Sequence, residues 1–463
     1  MVATRAGGNP TAILTEFAGE IDYSQLPENV VELSKKVLLD TIGVMLAATT
    51  LEKDVLPLIN IVKTAGGKAE SSILGFGQKV PAMMAAFANG ALSHALDYSS
   101  SDNRGVAPGG VTIPTALAMA EKIPGTTGKQ LITAIAVGNE VLMRIGRAIT
   151  KNPMHYGWVS PMLLGGFGAA VTAAKLAKLG SKQIMDAIGI ALHQAGGTWE
   201  MAEGHESSFR AIRNSFVSKT GILAAQLAQE GISAAKDPLC GTHGLYNQYF
   251  RGEFNASALI DGLGKVYQFE NISFKPYPSC RDTHTSIEAA LRLVNAHDIT
   301  PEQVEKILLT VGPMGEKVCL PKDHKCRPRN SIEAKFSLPF TVATAIVHRR
   351  VALIDFTDSG LNDPTVLDLA HRVNYQLNPG SAGLDPGIID VYLKNGQILH
   401  SEVDTPPGSP QSPMSKNDLI EKFKDCMTYS QKTLTGSEVD AIIAMIGELE
   451  HQQDLSRLIN YIS

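Results

Sequence analysis

From Leu33 to about Asp261 the chain repeats one pattern. Ala-, Leu- and Met-rich stretches carry apolar residues at helical spacing and are separated by Gly, Pro or short polar turns. Val37, Leu38, Ile42 and Met45 form one stripe, Leu117, Ala120 and Ile123 a second, and Leu131, Ile135, Leu142 and Ile145 a third, with Gly138 on the same face. Between Leu163 and Leu179 small residues dominate, including Gly165, Gly166, Gly168 and five alanines, which lets helices approach closely. The pattern predicts a mostly helical first domain.

Near Tyr267 the pattern changes. Ile307–Val311 reads as a strand, and Ile389 to His400 alternates around Asn395-Gly396, which predicts two strands joined by a type I′ turn. Helices predicted over Thr285–Ala296 and Ala334–Val347 flank the first strand, giving a smaller α+β domain over 266–402. The Pro- and Ser-rich stretch Thr405–Pro413 reads as a loop, because its prolines cannot donate to a sheet ladder. Helical spacing returns at Leu419–Cys426 and Val439–Leu449, segments expected to pack back onto the first domain. The expected fold class is therefore mainly α with α+β: a large all-helical domain (1–265 and 403–463, discontinuous) plus a smaller α+β lid domain.

With 463 residues, 44% of them hydrophobic, the chain can bury a large core. Forty-one Lys and Arg against 46 Asp and Glu give a formal net charge of −5, which argues against a nucleic-acid-binding surface. The five cysteines are odd in number and form no CxxC pair, so they read as reduced thiols of a cytoplasmic protein without a disulfide framework or zinc site. The N-terminus has no apolar signal-peptide core. The charge-free runs Val80–Leu96 and Asn152–Ala174 are interrupted by His or Pro and read as buried helices rather than membrane spans. No G-x-G-x-x-G, P-loop, G-x-S-x-G or H-E-x-x-H motif is present, which leaves a cofactor-free enzyme or no enzyme.

Four segments gather candidate chemistry. Asn271–His284 holds Lys275, Tyr277, Cys280, Arg281 and His284, with Pro276 and Pro278 fixing the backbone beside Tyr277. Cations around a constrained helix start suit a carboxylate ligand, or the basic residues simply snorkel. In Ser93–Arg104, His94, Asp97 and Ser101 fall near successive turns of one face if the helix persists, and Asp97 could serve as a base or orient one. Ordinary capping is the alternative. Lys151–Val159 sets His155 beside Tyr156, a pair of possible proton carriers or, with Trp158, the seal of a domain edge. In Trp199–Ser215, Arg210 and Arg213 present forked donors to one side, for a carboxylate or for Glu203 and Glu206 on a solvated face. His193 reads as a satisfied core residue.

Several pieces, taken in order, resemble the MmgE/PrpD family, which includes 2-methylcitrate dehydratase and cis-aconitate decarboxylase. They are Val37–Gly43, Ala86–Asp97, Pro114–Glu121, Val217–Gly231, Ser273–Cys280 and Ala334–Phe340. The resemblance implies a helical domain with a smaller α+β lid, and a homodimer. It places Asp97, Ser101 (commonly Thr in the family) and Lys275 at positions like the active-site aspartate, hydroxyl and lysine, and Arg210 at a family lysine. Ala107 and Val159 stand where the family usually has histidines. Losing a hydroxide needs a positioned proton donor, so these departures weigh against dehydration.

The remaining basic groups, Arg210, Arg213, Lys275 and Arg281, could hold a polyanionic substrate and stabilise enolate-like charge, with Ser101, Arg104 and Tyr277 as further substrate contacts. Removing a proton from the carbon α to a carboxylate and returning it from the opposite face needs no leaving group. The resemblance, through the chain's length and its departure from the histidine pattern, implies cofactor-independent epimerisation of the polycarboxylate iminodisuccinate, with His155 or Tyr156 on one face and Lys275 or Asp97 on the other. The alternatives are a lyase acting on 2-methylcitrate or cis-aconitate through His155, and a non-catalytic polycarboxylate binder.

Overall fold

The computed structural model describes residues 8–102, 106–203, 207–378, 380 and 386–463. It divides into two compact units, Met1–Ile272 with Ser415–Ser463, and Ser273–Met414. The architecture is mainly α, with one small mixed sheet in the second unit.

The first unit is built from helices α1 (Pro10–Glu20), α2 (Glu28–Leu51), α3 (Ala82–Ala95), α4 (Pro108–Lys122), α5 (Gly128–Ala148), α6 (Ser160–Leu176), α7 (Ser181–Leu192) and α8 (Phe209–Gln229). Their starts carry local signals. The Asn9 side chain accepts from the Thr11 and Ala12 amides, Thr127 and Gln130 satisfy each other's backbone amides at the head of α5, and α4 and α6 each have Pro in the first turn. The small residues are the contact points. A Cβ at Gly138 would stand 1.9 Å from Thr172 Oγ1, one at Gly168 2.8 Å from Leu142, and one at Gly221 2.3 Å from Ala169. Helix α8 packs antiparallel on α3, with Gly90 against Ser215 one way and Phe87 against Phe216 and Lys219 the other.

One buried ion pair organises the stretch 259–269, just before the chain leaves this unit. Arg144 on α5 is wholly buried, and its Nε lies 2.5 Å from Glu140 Oε1 one turn earlier. The guanidinium also donates to the carbonyls of Leu259, Asp261 and Val266, while Glu140 Oε2 accepts from the Phe269 amide at 2.9 Å. An irregular stretch thereby has its backbone polar groups answered by a helix face.

In the second unit, β1 (Val304–Val311) pairs parallel with β2 (Val373–Leu377) and antiparallel with β3 (Gly387–Leu393), which pairs antiparallel with β4 (Ile398–Val403). The order is β2-β1-β3-β4. Helices α9 (His284–His297), α10 (Leu338–His348) and α11 (Pro364–His371) supply Ile287, Ala290, Phe340, Val366 and Leu369 to the core beneath Ile307, Leu309, Ile389 and Val391. Gly387 permits the closest approach, since a Cβ there would stand 2.2 Å from the Thr285 backbone in the first turn of α9. At Gly408 (φ +81) a Cβ would meet the Phe274 carbonyl at 1.9 Å, and the Gly408 carbonyl accepts from the Phe274 amide at 2.9 Å. The Pro-rich loop thus holds the strand-like lead to Lys275.

Two sequence expectations are corrected here. The stretch Ala334–Val347 is not one helix: it breaks at Phe336, because the Ser337 hydroxyl caps α10 by accepting from the Phe340 amide and Pro339 starts the new helix. The β3–β4 turn is not type I′, which needs two left-handed residues. Only Gly396 is left-handed (φ +87), its amide donates to the Leu393 carbonyl, and Leu393 pairs with Gln397 across a three-residue loop.

The chain returns to the first unit through α12 (Lys416–Met427) and α13 (Gly436–Gly447), of which α12 packs on α2. Replacing Arg144 by Met leaves Glu140 buried without its cation, and urea unfolding is expected to register a loss of about 3–5 kcal/mol. A loss below about 1 kcal/mol would contradict the role given to the pair.

Candidate active site

Helix α3 ends at Ala95, so His94, Asp97 and Ser101 do not continue along one helical face as the sequence suggested. The Asp97 amide donates to the His94 carbonyl at 2.8 Å and Asp97 itself takes a left-handed conformation, φ +50. For a residue other than Gly this costs on the order of 1–3 kcal/mol and persists only where the surroundings fix it. Ser99 and Ser100 are buried, Ser101 is half-buried, and Asp102 accepts from the Val106 amide through its side chain while donating to the Val106 carbonyl from its backbone. Arg104 lies outside the described residues, as do His205 and Glu206.

The next helix is drawn into the same corner by a missing donor. Pro114 sits inside α4 and has no N–H, so it cannot serve the Gly110 carbonyl four residues earlier. That carbonyl accepts instead from Ser93 Oγ of α3 at 2.5 Å and from Asn214 Nδ2 of α8 at 3.1 Å. Three helices are joined at one buried oxygen. Asn214 is next to Arg213 and one turn from Arg210, and the antiparallel packing of α8 on α3 sets both arginines level with the His94–Asp97 end. Arg213 is buried and Arg210 half-buried. The first unit therefore sets Asp97, Ser101, Arg210 and Arg213 toward the same end of the α3/α8 pair. Ala107 and Val159, both buried and aliphatic, directly precede α4 and α6.

His155 and Tyr156 belong to a second cluster of this unit. They lie on a short turn, Pro153–Tyr156, that Asn152 caps, with Gly157 left-handed after it. The Tyr156 hydroxyl donates to Glu253 Oε2 at 2.5 Å, and Lys151 Nζ lies 2.6 Å from the same oxygen. The Lys151 ammonium and the Tyr156 hydroxyl hold the Glu253 carboxyl below its ordinary range, and Glu253 in turn raises the Tyr156 phenol. His155 is exposed and edge-on to Tyr156 at 5.4 Å. His193, expected in the core, is exposed at the end of α7.

The second unit carries Lys275, Tyr277 and Arg281 on the segment leading into α9. Lys275 is 5% exposed, and its Nζ donates to the Ser279 carbonyl at 2.9 Å. His284 Nε2 lies 3.2 Å from that same carbonyl, so one backbone oxygen orders both the ammonium and the imidazole. The Cys280 amide donates to the Lys335 carbonyl. Tyr277 donates its hydroxyl to Glu288 Oε2 at 2.7 Å and stands edge-on to His284 at 5.3 Å. Desolvation, with Glu288 beside it, pushes the Tyr277 phenol far above its ordinary range, so it is a fixed neutral donor. Arg281 is half-buried on the short turn Arg281–Thr283.

Among the described residues, no group of three or more His, Cys, Asp or Glu could hold a metal ion, and no helix is long and apolar enough to cross a membrane. Sequence reasoning missed Glu253, Glu288 and the Ser279 carbonyl. Each is defined by a hydrogen bond that forms only after folding.

The chain thus has a mainly helical unit, with Asp97 and Ser101 on a loop after α3, and a smaller mixed α/β unit, with Lys275 and Arg281 on the segment before α9. The MmgE/PrpD N-terminal domain matches residues 12–257 and the MmgE/PrpD C-terminal domain residues 277–449. The chain belongs to the MmgE/PrpD family. It is 26% identical to cis-aconitate decarboxylase of Homo sapiens over 95% of this chain and 91% of that one. Identity is 25% to the protein of the same name from Mus musculus (96% and 92% covered) and 24% to that from Aspergillus terreus strain NIH 2624 (99% and 97%).

The double replacement Ser93→Ala with Asn214→Leu leaves the buried Gly110 carbonyl without either donor. A loss of about 1–3 kcal/mol in urea unfolding is expected, and unchanged stability would remove the carbonyl from the account.

Proposed function

We propose that this protein is a cofactor-independent epimerase of iminodisuccinate. A base removes the proton on the carbon α to a carboxylate, the electron pair is held as enolate-like charge by nearby cations, and a second group returns a proton to the opposite face. Arg210 and Arg213 bind substrate carboxylate through paired N–H groups, with Ser101, Arg104, Tyr277 and Arg281 as further contacts. Lys275 or Asp97 is the carrier proposed for one face, His155 or Tyr156 for the other.

The observation that carries this reading is the pair of aliphatic residues before α4 and α6. Ala107 and Val159 offer no proton at positions that the resemblance assigns to histidines, which leaves dehydration without a donor for its departing hydroxide, whereas epimerisation expels no such group. A second reading, decarboxylation of cis-aconitate, is favoured by the names of the relatives.

Chiral chromatography of single-enantiomer iminodisuccinate after incubation separates the two. Appearance of the other stereoisomer, with no carbon dioxide from cis-aconitate and no water lost from 2-methylcitrate, is expected. Carbon dioxide release without stereochemical change would establish the second reading instead. In the same assay Lys275→Ala should lower kcat by on the order of 10²–10⁴-fold, and Arg210→Ala should act mainly on KM. Unaltered kinetics in Lys275→Ala would take that residue out of the mechanism.

A further inference from the structure

The run Val37–Gly43 places Asp40 and Gly43 one turn apart on α2. A Cβ at Gly43 would stand 3.0 Å from the Phe423 ring of α12, so α12 seats closely there and brings Lys422 to Asp40. Lys422 Nζ lies 2.7 Å from Asp40 Oδ1, donates to the Tyr98 carbonyl at 2.7 Å and stands 3.7 Å from the centre of the Tyr98 ring. The other carboxylate oxygen, Asp40 Oδ2, accepts from the Ser100 amide at 3.1 Å. The lysine side chain is 4% exposed and the aspartate 0%.

Both grips fall on loop backbone, at residues 98 and 100, between the left-handed Asp97 and the half-buried Ser101. The helices themselves are already joined where Phe423 and Cys426, both buried on α12, pack against Gly43. The charged pair adds little that α2 and α12 need from each other. It supplies what the loop needs, two fixed points that hold a non-glycine residue in a conformation it would otherwise leave.

We propose that Asp40 and Lys422 are positioning residues, a buried clamp that holds the Asp97–Ser101 loop in the conformation used for proton transfer. The clamp rests on the function proposed above, in which Asp97 is one of the proposed proton carriers.

The test uses the full-length protein carrying Asp40→Asn, Lys422→Met or Lys422→Arg, with Asp97→Asn beside them, each checked for folding by circular dichroism and assayed for epimerisation. Asp40→Asn and Lys422→Met should lose roughly 10- to 100-fold in kcat with KM changed by less than about threefold, as expected when a reacting group is misplaced rather than removed. Lys422→Arg should recover most of the loss, and Asp97→Asn should lose more than any of them. Asp40→Asn preserves side-chain volume, so it decides the matter if Lys422→Met does not fold. Folded Asp40→Asn with wild-type kcat, or with the whole effect in KM, overturns the clamp while an inactive Asp97→Asn leaves the reading of Asp97 intact. Wild-type turnover in Asp97→Asn overturns that reading, and the clamp with it.

Discussion

A charge taken out of water has to be answered inside the fold, and the arrangement of this protein follows from where those answers lie. Arg144 is answered by Glu140 and three carbonyls, Lys422 by Asp40 and the Tyr98 carbonyl, and Lys275 by the Ser279 carbonyl that His284 also approaches. In each case the cation organises an irregular segment rather than another helix. The loops that carry the candidate residues are therefore held by buried electrostatics, and the helices by apolar packing.

That division explains what the sequence discloses. Helices α2, α4 and α5 are legible because their apolar spacing is local and their starts are marked by Pro27, Pro108 and Thr127. The small residues of α6 are legible as contact points for the same reason. The break at Phe336 was also written locally, in Ser337 and Pro339, but the apolar run on either side outweighs it in any periodicity reading. In the β3–β4 loop, Asn395-Gly396 marks a turn without fixing its length, which depends on the pairing of Leu393 with Gln397.

The candidate site is less legible, because its geometry depends on partners far away in sequence. Asp97 can be chosen by residue type, but its left-handed backbone and the grip of Asp40 and Lys422, 382 positions apart in the chain, leave no local trace. Tyr156 and Tyr277 attract attention as phenols. Their hydroxyls are engaged by Glu253 and Glu288, which makes them donors to carboxylates in this structure. The Gly110 carbonyl is the exception, since Pro114 announces that an oxygen four residues earlier needs a donor from elsewhere.

The central claim is that this family member moves a proton at carbon without expelling a group. The most direct measurement is proton magnetic resonance of iminodisuccinate incubated with the enzyme in deuterated water. The account predicts that α-hydrogen signal is lost to solvent deuterium at a rate comparable with inversion, and that the carbon skeleton stays whole. An α-hydrogen that stays in place, or a skeleton that loses a carboxylate, would contradict it.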